Sequence, residues 1–136
     1  MIMASTGSRD TVARFFDCLG SARMREIVDV FSDDGTIDMP GTNDLPWAGR
    51  WTGRQRLEEY FRVMPAALDI RGATQDVWLI DGNNVVVSGT EHGASRVSGK
   101  EYHAKWCWRF VVEAGKIKLW DAYEDTEAMF NAGPWR

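Results

Sequence analysis

The sequence predicts an α+β domain: a cone-shaped, curved antiparallel sheet wrapped around three N-terminal helices, an α+β barrel enclosing an apolar pocket. Three observations predict it. Before residue 66, three stretches carry apolar residues at helical spacing. After residue 74, four segments read as consecutive strands joined by tight turns. Seven tryptophans occur among 136 residues, more bulk than a small core needs, which suggests a bulky core or the wall of a cavity. Helices followed by consecutive strands exclude a βαβ arrangement.

The elements follow in order. Ser8 is a candidate cap for a first helix, in which Val12, Phe15, Phe16 and Leu19 form one apolar stripe that Gly20 ends. Ser21 is a candidate cap for a second helix, where Met24, Ile27, Val28 and Phe31 repeat the spacing. Ser32-Asp33-Asp34-Gly35 reads as a turn and Thr36 to Met39 as a short strand stopped by Pro40-Gly41. A loop to Gly53 carries Trp47 and Trp51. A third helix from about Thr52 presents Leu57, Tyr60, Phe61 and Met64, and Pro65 closes it.

Thr74 to Asp81, Asn84 to His92, Lys100 to Val112 and Lys116 to about Asp125 are the later strands, with a turn at Gly82-Asn83. In the third of these, Tyr102, Ala104, Trp106, Trp108 and Phe110 share one face, and Glu101, His103, Lys105, Cys107 and Arg109 the other. Thr126 to Arg136 is expected to hold a short helical turn. Residues 1–8 are expected as a flexible N-terminus, 9–131 as the single domain and 132–136 as a tail.

The bulk numbers exclude several classes. A formal net charge of -4 and the lack of a basic stripe argue against a nucleic-acid partner. No apolar run approaches the roughly 18 residues that span a membrane, and the start has no signal-peptide pattern. Cys18 and Cys107 make no disulfide framework and read as reduced thiols of a cytoplasmic protein.

Three stretches combine into a resemblance: Phe31-Ser32-Asp33-Asp34-Gly35-Thr36-Ile37-Asp38-Met39-Pro40-Gly41 after the first helices; Trp47-Ala48-Gly49-Arg50-Trp51-Thr52-Gly53-Arg54 entering the third helix; and Trp108-Arg109-Phe110 through Gly115-Lys116-Ile117 to Trp120, closed by Tyr123-Glu124-Asp125-Thr126. Together they resemble the SnoaL-like polyketide cyclases, within the superfamily of nuclear transport factor 2 and ketosteroid isomerase, from about Arg9 to Asn131. The resemblance implies a deep pocket, a homodimer formed through the sheet, and no cofactor or metal. It also implies a hydrophobic small-molecule substrate that is cyclised, isomerised, dehydrated or hydrated, often in secondary metabolism such as antibiotic biosynthesis. The departures are specific. Where ketosteroid isomerases have a tyrosine in the first helix, Phe15 stands here; their general base matches Met39, with Asp38 beside it; their protonated aspartate matches Trp106. The carboxylate that related epoxide hydrolases carry in the last strand matches Ala122. Steroid isomerisation is therefore not expected.

Four polar residues remain candidates for acid–base work. Asp38 ends the first strand; held against Trp and Met side chains it would be desolvated and pass protons near neutral pH, or else it is a turn aspartate. Glu91 faces inward if Val85, Val87 and Gly89 do, and His92 replaces it if a bulge at Gly89 shifts the parity; alternatively both lie at an exposed strand end. Glu124 shares parity with Trp120 and Ala122, facing the pocket or standing at its rim. Trp106, Trp108, Trp120 and Met39, with Phe15 and Tyr60 from the helices, are the candidate substrate-binding wall, or plain core. Trp47 is a candidate lid or a loop staple. His103 is expected on the outer face. His92 and His103, eleven residues apart, form no known metal-ligand spacing. The leading expectation is a cofactor-independent cyclase, isomerase or dehydratase; the alternatives are a noncatalytic ligand-binding or dimerisation module and an epoxide hydrolase.

Overall fold

The computed structural model describes residues 4–136, with side chains from residue 7 onward. The chain forms α1 (Ala4–Gly20), α2 (Met24–Val28), β1 (Phe31–Met39), β2 (Gly49–Thr52), α3 (Arg54–Ala67), β3 (Leu68–Asp81), β4 (Asn84–Ser95), β5 (Glu101–Glu113), β6 (Lys116–Glu124) and α4 (Thr126–Asn131). The six strands make one sheet in the order β2-β1-β6-β5-β4-β3. All neighbours are antiparallel except β1 and β6, which run parallel, so the sheet is mixed. The parallel pair exists because β1 precedes α3 and the meander, and the meander's last strand returns beside it.

The stripes of the three N-terminal helices pack against one face of the curved sheet. Phe15 of α1 is fully buried, with ring centroids 4.8 Å from Trp120 and 5.1 Å from Phe110. Leu57, Tyr60, Phe61 and Met64 bury the face of α3. Along β5 the burial alternates residue by residue, as a sheet with one face on the core requires.

Several local expectations change. Ser8 lies inside α1 rather than capping it; its hydroxyl donates to the Gly82 carbonyl at 2.9 Å and ties the helix to the β3–β4 turn. Ser21 caps nothing: its hydroxyl bonds back to the Asp17 carbonyl. The second helix stops at Val28, and Phe31 opens β1 instead, because the Ile117 amide captures the Val30 carbonyl at 2.9 Å and sheet pairing overrides the helical period. The turn expected at Ser32–Gly35 is an irregularity within β1, where its register with β6 shifts between Phe31 and Thr36. Residues 49–52, read as loop, pair with β1.

The N-terminal boundary moves as well, since α1 already includes Ala4; the expectation for residues 1–3 lies outside the described residues. Residues 132–136, expected as a tail, pack onto the domain. Ala132 and Trp135 are buried, and the Trp135 indole donates to the Met129 carbonyl at 2.8 Å while standing edge-on to Trp47. Among the described residues no helix is long and apolar enough to cross a membrane. Cys18 is buried in α1 and Cys107 exposed on β5, both as free thiols.

Candidate active site

The site is built from strand register. Glu91 of β4 pairs with Ala104 of β5, and Trp106 of β5 pairs with Glu124 of β6. The two glutamates therefore flank β5 from either side, their backbones roughly 12 Å apart, two strand spacings across and two residues along. Both point to the concave face. There they line a narrow space of about 20 Å³, together with Trp47, Tyr60, Trp120 and Met129. That space is the closed end of a wider mouth of about 420 Å³, to which Phe16, Leu19, Met64, Trp106 and Trp108 contribute. Leu19, Met64, Leu68, Ile70, Glu91 and Trp108 line both. The mouth falls within the size range of small-molecule sites.

The walls are aromatic. Trp106 and Trp108 stack with centroids 4.1 Å apart, and Phe16 lies parallel to Trp108 at 5.7 Å. Backbone space is reserved for this wall. A Cβ on Gly89 would lie 2.8 Å from the Trp106 ring and 1.9 Å from the Thr74 carbonyl oxygen, so only glycine fits between β3 and the indole. Gly93 does the same for Tyr102, whose hydroxyl would lie 2.8 Å from an added Cβ.

Two carboxyl groups sit in this apolar setting, and among the described residues each has one hydrogen-bond partner. Glu91 is 7% exposed and accepts a hydrogen bond from the Tyr102 hydroxyl. Glu124 accepts from the Trp108 indole N–H at 2.8 Å through Oε2. Burial raises the Glu91 pKa above the ordinary carboxylate value, against the opposing bond from Tyr102. Burial pushes Glu124 up to about 8, the charge of Glu91 adds to the rise, and the Trp108 bond opposes it. Near neutral pH Glu124 therefore holds its proton. Tyr60, buried beside the same space, is raised well above its ordinary range by desolvation and by both glutamates. Among the described residues, the indole N–H groups of Trp106 and Trp120 are buried without an acceptor.

The residues expected from sequence divide into those the structure gathers and those it separates. Glu91 and Glu124 come together with Trp47, Tyr60, Trp108 and Trp120 at the closed end, and Trp106 joins at the mouth. Asp38 does not. In β1, Ile37 and Met39 point inward, so Asp38 faces out, its side chain 38% exposed and paired with Arg50 at 2.9 Å; it is not desolvated against Trp and Met. His92 also faces out. The irregularity near Gly89 falls in β3, between Gln75 and Val77, so the parity of β4 is kept and Glu91, not His92, turns inward. His92 instead stacks on His103 at 4.6 Å and bonds Glu101 at 3.0 Å. Phe15 and Met39 are solid core and line neither space. Trp47 is 1% exposed and wedged against Trp135, a staple and wall rather than a movable lid. Among the described residues no group of three or more His, Cys, Asp and Glu side chains is placed to hold a metal ion.

Sequence reasoning missed the Tyr102 contact with Glu91 and the aliphatic lining from Leu19, Met64, Leu68 and Ile70. Hairpin register was the usable signal for Tyr102: the turn after Ser95 sets Gly93 opposite Tyr102, and Glu91 is then its diagonal neighbour on the same face.

The model of the SnoaL-like domain family matches residues 12–120. A search of curated proteins by sequence finds no match. Among solved structures, the fold is similar to an NTF2-like protein from Burkholderia xenovorans, at TM-score 0.85 and 22% identity, covering 96% of this chain and 98% of that one. It is also similar to an LEH-like epoxide hydrolase from M. tuberculosis, at TM-score 0.74 and 21% identity over 94% and 90% of the two chains. TerC co-crystallised with polyporic acid superposes at TM-score 0.82 with 17% identity over 93% and 97%. At these identities the likeness concerns the fold.

Proposed function

The chain belongs to the SnoaL-like domain family, and from that premise we propose that it is a cofactor-independent enzyme moving a proton within a hydrophobic, polyketide-type substrate, closing a ring or isomerising it. The observation that carries this reading is Glu124: a carboxyl at the closed end of an aromatic cavity, its pKa pushed up to about 8, with a second glutamate within electrostatic reach. Two interacting carboxyls whose environments differ are suited to separate acid and base roles. Glu91, with the Tyr102 hydroxyl stabilising its ionised form, removes a proton from carbon next to a carbonyl. Glu124 donates its proton to the carbonyl oxygen that gains charge. The aromatic walls hold the substrate in a reactive conformer and exclude water. Catalysis by such groups typically contributes 10²–10⁴-fold.

Incubation of aryl 1,3-diketones with the protein in D₂O, read by mass spectrometry, tests this. Deuterium incorporation above a serum-albumin control is expected, reduced roughly 100-fold or more in Glu91→Gln and Glu124→Gln. Asp38→Asn should keep the full rate. Exchange at the control rate in the unaltered protein would favour a noncatalytic binding role.

One observation favours a second reading. The narrow space of about 20 Å³ lined by both carboxyls is the size of one water site with several polar neighbours. A water held there by Glu91 and Glu124 would suit opening of an epoxide. Incorporation of ¹⁸O from labelled water into a diol product would distinguish hydrolysis from proton transfer.

A further inference from the structure

Three charged residues line the mouth: Glu91, Arg71 and Arg96. Glu91 lies at the deep side, buried and bonded to Tyr102. The two arginines stand where β3 and the end of β4 meet the last turn of α3, their side chains 44% and 50% exposed. Arg96 is held in place, its Nε donating to the Pro65 carbonyl at 2.8 Å. That contact leaves both terminal nitrogens of the fork, of which only one has a carboxylate within 4.0 Å, Asp69 at 3.9 Å. Arg71 is shared between Asp69 at 3.1 Å and Glu101 at 3.5 Å. Asp69 and Glu101 are not part of the mouth lining. The lining therefore presents two guanidinium groups at its rim, stacked indoles in its middle and a proton-bearing carboxyl at its closed end.

We propose that this site takes an aromatic acid: a flat apolar ring system whose carboxylate is held at the rim by Arg96 and Arg71 while the opposite end reaches Glu124. This rests on the acid–base reading above and adds the class of substrate. A carboxylate matches the planar fork of the two terminal nitrogens of Arg96, where Asp69 at 3.9 Å is its competitor. Phe16, Trp106 and Trp108 stack on one another, so the ring system lies along the outer face of that aromatic wall rather than between its rings. Because the rim charges are partly exposed, the attraction is sensitive to salt.

Titrations with 2-naphthoate and 2-naphthamide at pH 7, followed through the fluorescence of the lining tryptophans, test the assignment. The acid is expected to bind roughly tenfold more tightly than the amide, about the effect of one charge-assisted contact at a solvated rim. In a folded R71Q/R96Q variant, checked by its thermal melt, the acid should fall to the affinity of the amide while the amide is unchanged. Equal affinity of acid and amide for the unaltered protein, or a preference that survives in R71Q/R96Q, would overturn the rim assignment and leave the deuterium-exchange test of Glu91 and Glu124 standing. Binding of neither probe would remove both.

Discussion

Replacing Glu124 by Gln should make the protein more resistant to unfolding at alkaline pH. In the unfolded chain this carboxyl titrates near its ordinary value of 4.5, and in the folded chain at about 8. Between those values the folded protein carries a proton that the unfolded chain has lost. The slope of stability with pH is then negative: the contribution is intact below pH 4.5 and disappears as pH rises through 8. The interval of about 3.5 pH units, at 1.36 kcal/mol for each, sets an upper limit of about 5 kcal/mol. Glu124 is only partly buried, so solvent screening lowers this, and a loss of about 2–4 kcal/mol between pH 5 and pH 9 is expected. Glu91 is shifted in the same direction, so some slope remains in the variant. The assay is urea unfolding at pH 5, 7 and 9. At pH 5 the two proteins should be similar, because a neutral Gln can still accept the Trp108 indole N–H. At pH 9 the variant should be the more stable. Parallel curves for the two proteins across this range would refute the reasoning, since the folded state would then not distinguish the charged carboxyl from the neutral one.

Three further outcomes follow from packing. Gly89→Ala forces a methyl group against the Thr74 carbonyl, where no side chain can yield, and should cost about 2 kcal/mol or more with a visible drop in melting temperature. Tyr102→Phe removes the only protein donor to Glu91 among the described residues; a loss of about 1–3 kcal/mol is expected by urea titration, larger at alkaline than at acid pH because the ionised form loses its partner. Trp135→Ala empties the volume beside Trp47 and should cost about 3–5 kcal/mol, with a parallel rise in the exposure of Trp47 to acrylamide quenching.

The parts of the fold that were legible in the sequence are those where one period runs unbroken. The inner face of β5, from Tyr102 to Phe110, and the α3 stripe follow from alternation and helical spacing alone, and both survive in the structure. Of the alternatives the sequence leaves open at the end of β4, the structure shows the one in which Val85, Val87 and Gly89 face inward and Glu91 with them. What could not be read was decided by long-range pairing. Phe31 fits a helical stripe perfectly well, yet its neighbour Val30 is taken by Ile117 of β6, 87 residues away from it in the chain. Residues 68–73 have no period of their own and become strand only because β4 offers a partner. Asp38 was placed by its position at a strand end, and one step of parity puts it outside, on Arg50. Trp135 looked like the end of a tail because nothing local shows that a cleft beside Trp47 awaits it.

The long edge strand β3 has a consequence for the protein in concentrated solution. Residues 70–81 are largely open on both sides, and Val77, Leu79 and Ile80 are exposed, which is the profile of a template for stray strand addition. The extra residue between Gln75 and Val77 interrupts that border at its middle. An incoming segment that pairs across it would fall out of step with the border's donors and acceptors, so the irregularity is expected to limit strand addition. Trimming it to restore a straight border would be expected to trade a slightly better ladder for a protein that polymerises.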